Sequence, residues 1–222
     1  MKLYTFPITA NALKIELVIN ALGLEPELHL IELHKGQHRM PEFKALNPNG
    51  TIPVIEDEGR IIWESNAILI YLVKKYQPDI YRASVADETE LLRWLSWQQG
   101  SWMKATAAFA HQSVVLPVMG GTTDKARVLE ILPEFRLQAA ILSQHLSDRD
   151  YILGEALSVA DVALAAPLFY WREADIPVPE FAHLHQWMER LEGYDWWKQT
   201  KLQQASFINK NMYIHNGGKD EN

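Results

Sequence analysis

Thr9 and Asn11 stand between the first strand-like segment and the first helical one. A hydroxyl and an amide at a helix start can join the free backbone N–H groups in facing an anion. Thr9 could donate a hydrogen bond to a thiolate or an oxyanion. The competing assignment is a plain helix cap, which the spacing alone favours. Glu64-Ser65 repeats the arrangement ahead of a later helix. Ser65 is a natural N-cap and an extra donor for a carboxylate, and Glu64 suits an ammonium group. A ligand carrying both charges, such as an α-amino acid head, would be held by this pair. Thr51-Ile52-Pro53-Val54 opens a strand with Pro, which that position permits because Pro lacks the ladder donor. A cis Ile52–Pro53 bond would present the Ile52 backbone to an extended ligand. Only about 5–6 % of X–Pro bonds are cis, and composition gives no reason to prefer it here.

His38 and Arg39 follow Lys35-Gly36 in a loop, where a solvated histidine is the commoner reading. The eight histidines show no metal-ligand spacing; His183 and His185, two apart, would not share a helix face. Trp94, Trp97, Trp102 and Phe109 read most simply as core, though aromatic side chains also line apolar pockets. There is no G-x-x-x-x-G-K phosphate loop, no G-x-S-x-G elbow and no cysteine nucleophile.

The elements around these residues change character along the chain. Residues 2–6 read as a strand. Residues 10–22 read as a helix, with Ile15, Val18, Ile19 and Leu22 at helical spacing and Gly23 as its stop. Residues 27–33 read as a second strand. Residues 35–50 are a loop with one short helix near 42–46. Segments 52–56 and 60–63 flank Asp57-Glu58-Gly59 as a hairpin, and 65–76 is a helix with a wide apolar face. This β-α-β, β-β-α order implies one mixed sheet with a right-handed crossover. Residues 77–86, with Pro78, read as a linker. Beyond it almost nothing is strand-like. Asp87-x-x-Glu90 resembles a capping box opening a long helix to about Leu116, which the Gly120-Gly121 segment ends. Residues 124–146 form a second helix that Pro133 would kink or break. Ser158-x-x-Asp161 is another capping box, and helices over 179–191 and 195–202 complete an all-α bundle. Three units follow: 1–77, 87–205 and a tail, 206–222, frayed at its polar end.

The chain has 222 residues, 48 % of them hydrophobic and 22 % charged, enough for a large core and incompatible with disorder over most of its length. Its net charge of −7 argues against a nucleic-acid binder working by charge. It has no cysteine, which excludes disulfides, a protein thiol nucleophile and a Cys-based metal site. Asn11, Lys14, Glu16 and Asn20 interrupt the apolar N-terminus, so it does not read as a signal peptide, and no stretch is long enough for a membrane helix. The expectation is a cytoplasmic protein with neither membrane nor nucleic-acid partners.

Together these pieces resemble the glutathione transferases. Similar stretches are 3–23, 35–54 (KGQHRMPEFKALNPNGTIPV), 64–72 (ESNAILIYL) and the capping box within GEALSVADVA at 154–163, so the resemblance runs from residue 1 to about 201. It implies a thioredoxin-like N-terminal domain that binds glutathione, an all-helical C-terminal domain, a homodimer and a role in detoxification, with no metal. It further implies that Pro53 is cis, that Ile52 pairs with the cysteinyl backbone of glutathione, and that Glu64 and Ser65 grip its γ-glutamyl head. His38 looks like the theta-class residue near the glycine carboxylate, and Thr51 stands where such members often have Lys. The first loop is similar to the Ser-x-Asn loop of bacterial members and the Thr-x-Asn loop of the nu class. By that resemblance Thr9 is the thiolate donor and Asn11 assists it. Tyr4, which alternation turns to the other face of its strand, is not in the tyrosine-type position. The reaction implied is attack of the glutathione thiolate on a small hydrophobic electrophile near the Trp-rich helix. The competing functions are glutathione-dependent disulfide reduction and a non-catalytic glutathione-binding or interaction module.

Overall fold

The computed structural model describes residues 1–76 and 85–216. Most of the expected linker and the polar end of the tail, 217–222, lie outside them. Strand β1 (Lys2–Thr5) alternates as the sequence predicts: Leu3 and Thr5 are buried, while Tyr4 turns to the opposite face and donates to Glu56. It pairs in parallel with β2 (Glu27–Leu30) and antiparallel with β3 (Val54–Asp57), which pairs in turn with β4 (Arg60–Trp63). The sheet order is β2-β1-β3-β4. Strand β2 stops at Leu30, short of the expected 33, because the chain turns at Leu33–Lys35 into a 3-10 turn.

Helix α1 (Ala10–Ala21) crosses between β1 and β2, and α3 (Ser65–Tyr76) follows β4 and lies against α1. Between them, α2 (Pro41–Leu46) is a short helix anchored by buried Phe43. The other side of α1 meets the second domain. That domain consists of α4 (Val85–Trp97), α5 (Met103–Ala110), α6 (Leu116–Val118), α7 (Lys125–His145), α8 (Val159–Ala165), α9 (Ala182–Glu192) and α10 (Asp195–Asn216). Helix α1 touches α8, α10 and the 3-10 turn Ala166–Leu168. Every residue from Ala12 to Ile19 is therefore buried, including Lys14 and Glu16. The amphipathic spacing read from sequence gives way to a helix enclosed on all sides.

Three further expectations change. Helix α4 is already under way at Val85, so Asp87 does not open it. It runs on through wide turns at Gln98–Trp102 and His111–Val115 to Val118. Pro133 sits inside an unbroken α7, whose N-cap Asp124 accepts from the Ala126 N–H at 3.0 Å. Helix α10 extends to Asn216, so residues placed in a tail from 206 onward are helical that far. No Gly or Pro interrupts it before Gly217, and Phe207 meets Phe6 edge-on at 5.5 Å. The Ser158–Asp161 capping box forms as expected and reaches further. Asp161 is fully buried and accepts from the Ser158 N–H and hydroxyl, the Ile152 N–H and the Trp187 indole. It ties α8 to α9 and to the loop before it.

Candidate functional site

A cavity of about 360 Å³ opens where the first domain faces α5 and the turn after it. Thr9, Asn11, His38, Thr51 and Ile52 line one wall; Met103, Ala107, Ala110, His111 and Val115 line the other. Five of the eight candidate residues thus meet at one place. Pro53 is buried behind Ile52 at the start of β3, and Ile52–Pro53 is cis. Ser65 and Glu64 do not line the cavity, but the Ser65 hydroxyl donates to Asn11 Oδ1 at 3.1 Å, joining the two helix starts.

Thr9 occupies the N-cap position of α1, and its carbonyl accepts the Leu13 N–H. Its side chain does not cap. The hydroxyl donates to the Phe6 carbonyl at 3.2 Å, a long bond for this type. The plain-cap assignment therefore fails for the Thr9 hydroxyl. At the second helix start, Glu64 rather than Ser65 is the N-cap: the Ile68 N–H donates to the Glu64 carbonyl, and Glu64 has φ +69°. Ser65 is the first helical residue and is buried, whereas Glu64 is exposed.

The loop bearing His38 and Thr51 is organised by a residue that the sequence reading missed. Asn47 is fully buried, and its amide donates to the Thr51 carbonyl at 2.7 Å and hydroxyl at 3.0 Å. Its Oδ1 accepts from the Asn49 backbone and side chain. The Asn47-Pro48 pair, a turn signal, was the available hint. Gly50, at φ +64°, lets the chain pass so close to His38 that a Cβ would stand 2.8 Å from the His38 carbonyl oxygen. Arg39 donates to His38 Nε2 at 3.2 Å, which assigns the ring proton to Nδ1. That Nδ1 is buried and has no partner. Burial, then the neighbouring Arg39, holds the His38 pKa below its ordinary value, so the ring is a neutral donor near pH 7.

Behind the site lies a second group, centred on a residue that the sequence marks only as a charge interrupting an apolar run. Lys14 is fully buried, with Nζ bonded to Ser65 Oγ at 3.0 Å, Asn66 Oδ1 at 2.5 Å and Gln98 Oε1 at 3.1 Å. Burial lowers its pKa to about 7, against a pull upward from Glu64. A separate depression of about 400 Å³ is lined by groups such as Asp148, Arg149 and Arg190, which pair with one another or with Asp150. The smaller cavity is the better candidate, since five of the eight candidate residues line it. Among the described residues no group of His, Asp or Glu could hold a metal ion, and no helix is long and apolar enough to cross a membrane.

A mixed sheet with its cis-proline loop facing a helical bundle across one cavity defines a thioredoxin-like domain joined to an all-α domain. The comparisons with known proteins agree. Residues 1–74 match the glutathione S-transferase N-terminal domain and 106–195 the C-terminal domain. The chain is 30 % identical to glutathione S-transferase 3 of Zea mays over 72 % of its length and 73 % of the relative's. It is 29 % identical to glutathione S-transferase D7 of Drosophila melanogaster over 85 % and 83 %. A solved glutathione S-transferase from Pseudomonas fluorescens superposes with a TM-score of 0.77 at 30 % identity, covering 88 % of this chain and 96 % of that one. The chain belongs to the glutathione S-transferase family of enzymes.

Proposed function

We propose that the protein binds glutathione as co-substrate in the inter-domain cavity and transfers it to a small hydrophobic electrophile. The observation that carries this reading is the cavity itself. Thr9 and the cis-proline loop form one wall, and the apolar side of α5 forms the other. Glutathione lies extended, its cysteinyl backbone on Ile52 and its γ-glutamyl head on Glu64, Ser65 and the start of α3. Its glycine carboxylate faces His38 and Thr51. His38 and Thr51 both line that end of the cavity. The sulfur reaches Thr9 and Asn11 at the positive end of α1. The thiolate then attacks the electrophile carbon, the S–C bond forms, and the leaving group departs with its electron pair. Met103, Ala107, Ala110 and Val115 give the electrophile an apolar seat. A cytoplasmic homodimer of domains 1–77 and 87–205 completes the proposal.

The test is the ultraviolet absorbance of the glutathione thiolate as protein is added, followed against pH. A saturable signal with a midpoint well below the free thiol value of about 8.5 is expected. Binding by calorimetry without that signal would leave a glutathione carrier and refute the catalytic reading. Comparing an aryl halide with a small disulfide separates transfer from disulfide reduction. The latter would need two glutathiones, since the chain has no cysteine.

A further inference from the structure

We infer that Lys14 is a positioning residue for the γ-glutamyl carboxylate: its buried ammonium, bonded to Ser65, Asn66 and Gln98, charges the start of α3 from behind and couples glutathione binding to uptake of a proton. This rests on the glutathione reading above and adds to it a charge that never touches the ligand.

The geometry fits an ammonium. Three oxygen acceptors surround Nζ, matching its three N–H donors. A neutral amine, with one donor fewer, would give up one of those three bonds. Among the described residues no carboxylate pairs with it, so the charge is buried with dipolar partners, an expensive state for a fold to hold. The partners come from both domains: Ser65 and Asn66 from α3, Gln98 from the turn after α4. Asn66 Nδ2 also donates to Gln98 Oε1 and the Leu95 carbonyl, fixing the cluster.

The cluster has a direction. Because Ser65 Oγ accepts from Lys14, its own proton must point elsewhere, and here it goes to Asn11. A ligand carboxylate at the start of α3 would receive that proton instead. Two hydrogen bonds in series then separate it from the ammonium, roughly 5 Å in all. At that distance an anion holds the proton on Lys14, which burial alone would release near pH 7.

Charged groups on the neighbouring elements leave the coupling to this site. Glu64, at the entry to α3, is the one that acts on Lys14. Glu16, on the same helix, acts on Tyr170 instead. Asp161 of α8 is consumed by Ser158, Ile152 and Trp187. On α10, Asp195 pairs with Lys198, and Lys201 with Glu173 and the Phe169 carbonyl. Glu90 and Arg93 of α4 pair with each other.

The experiment is calorimetric titration of the full-length protein with S-methylglutathione, which keeps the γ-glutamyl head and has no thiol proton. Near pH 7, where the ligand's own α-amino group is still largely protonated, run in buffers of different ionisation enthalpy, the wild type should take up about 0.4 proton. Between pH 6 and pH 9 its affinity should fall about tenfold more than that of Lys14→Arg, which shares only the loss from the ligand's own ammonium. Lys14→Met should bind about tenfold more weakly at pH 6, with no proton uptake near pH 7 and only the ligand's own pH dependence. Lys14→Arg, whose guanidinium stays charged, should bind within about threefold of wild type at pH 6 and also take up no proton. Burial holds the His38 pKa below its ordinary value, so the ring is mainly neutral at pH 7 before binding; His38→Gln should weaken binding and keep the uptake. Wild-type binding without proton uptake overturns the inference, whether or not the Met variant folds. So does uptake that survives in Lys14→Arg. Failure of the wild type to bind S-methylglutathione at all overturns the glutathione reading and this inference with it.

Discussion

Replacing Thr9 with Val removes one hydroxyl and keeps the β-branched shape. A hydrogen bond to a charged acceptor contributes about 1.5–3 kcal/mol, and each pKa unit corresponds to about 1.36 kcal/mol. The full bond would therefore lower a bound thiol by about one to two units. The Thr9 hydroxyl is not idle without ligand, since it donates to the Phe6 carbonyl at 3.2 Å. Turning to the sulfur gives up that long bond, which places the expected gain at the lower end, near one unit. The Val variant should thus titrate bound glutathione about one unit higher than wild type. Its affinity should change little, because in the proposed pose Ile52, His38 and Ser65 would hold the tripeptide elsewhere. Turnover at a single pH is the wrong assay. A thiolate of higher pKa is intrinsically more nucleophilic, with a Brønsted slope of about 0.4–0.5, and this offsets roughly half of the lost ionisation. The titration midpoint of the thiolate absorbance has no such compensation. A midpoint within about 0.3 unit of wild type, in a variant that still folds and binds, would refute the assignment. The task would then pass to Asn11 or the first N–H groups of α1.

Two further outcomes concern the interior. Burial raises the Glu16 carboxyl to about 7, so the folded state keeps a proton that the unfolded chain gives up near pH 4.5. Stability from this group is present below that lower value and is lost as pH rises to about 7. Glu16→Gln should therefore stabilise the protein by about 2–3 kcal/mol above pH 7 and change it little near pH 4. Melting curves at both pH values check this, and an equal effect at both would refute it. Asp161→Ala strands the Ile152 and Ser158 N–H groups and the Trp187 indole inside the bundle. A loss of about 3–5 kcal/mol, or roughly 10 °C in melting temperature, is expected, and a variant melting within about 2 °C of wild type would contradict it.

The site was legible where its chemistry is local. Thr9 and Asn11 announce themselves as polar side chains at a helix start, and Glu64-Ser65 as a second such start. The loop from Lys35 to Val54 is marked by its Gly and Pro. The cis bond at Pro53 was not readable from composition; only the family resemblance implied it. The residues that hold these groups in place were illegible because their partners are remote. Lys14 finds Ser65 and Gln98 at separations of 51 and 84 residues. Read alone, it was a charge interrupting an apolar run. The periodicity of α1 gave one apolar face, but two domains enclose that helix, so Lys14 is cut off from solvent and Glu16 nearly so. Helix α10 was cut short for a related reason. Its later turns mix apolar and polar residues, and their docking depends on contacts such as Phe207 with Phe6, which no local pattern records.

Helix α1 therefore carries two buried ionisable groups whose costs differ in kind. Glu16 has an unpartnered oxygen and meets its deficit by keeping a proton, as burial alone dictates. Lys14 has a full set of acceptors, so only desolvation works against its charge. Burial favours the neutral form of both, and the two titrate near the same pH from opposite sides. Folding stability attributable to Glu16 falls as pH rises towards 7; that attributable to Lys14 rises as pH climbs from 7 towards 10.5, where the unfolded lysine would lose its proton. Near neutrality the helix bears close to the full cost of both. On the proposed reading only the Lys14 cost can be recovered by a ligand, because Lys14 bonds Ser65 at the start of α3, where the γ-glutamyl carboxylate would sit. An anion held there should therefore stabilise the fold more at pH 6, where the charge is already in place, than at pH 9, where a proton must first be taken up. Glu16, enclosed beside Tyr170, offers no such recovery.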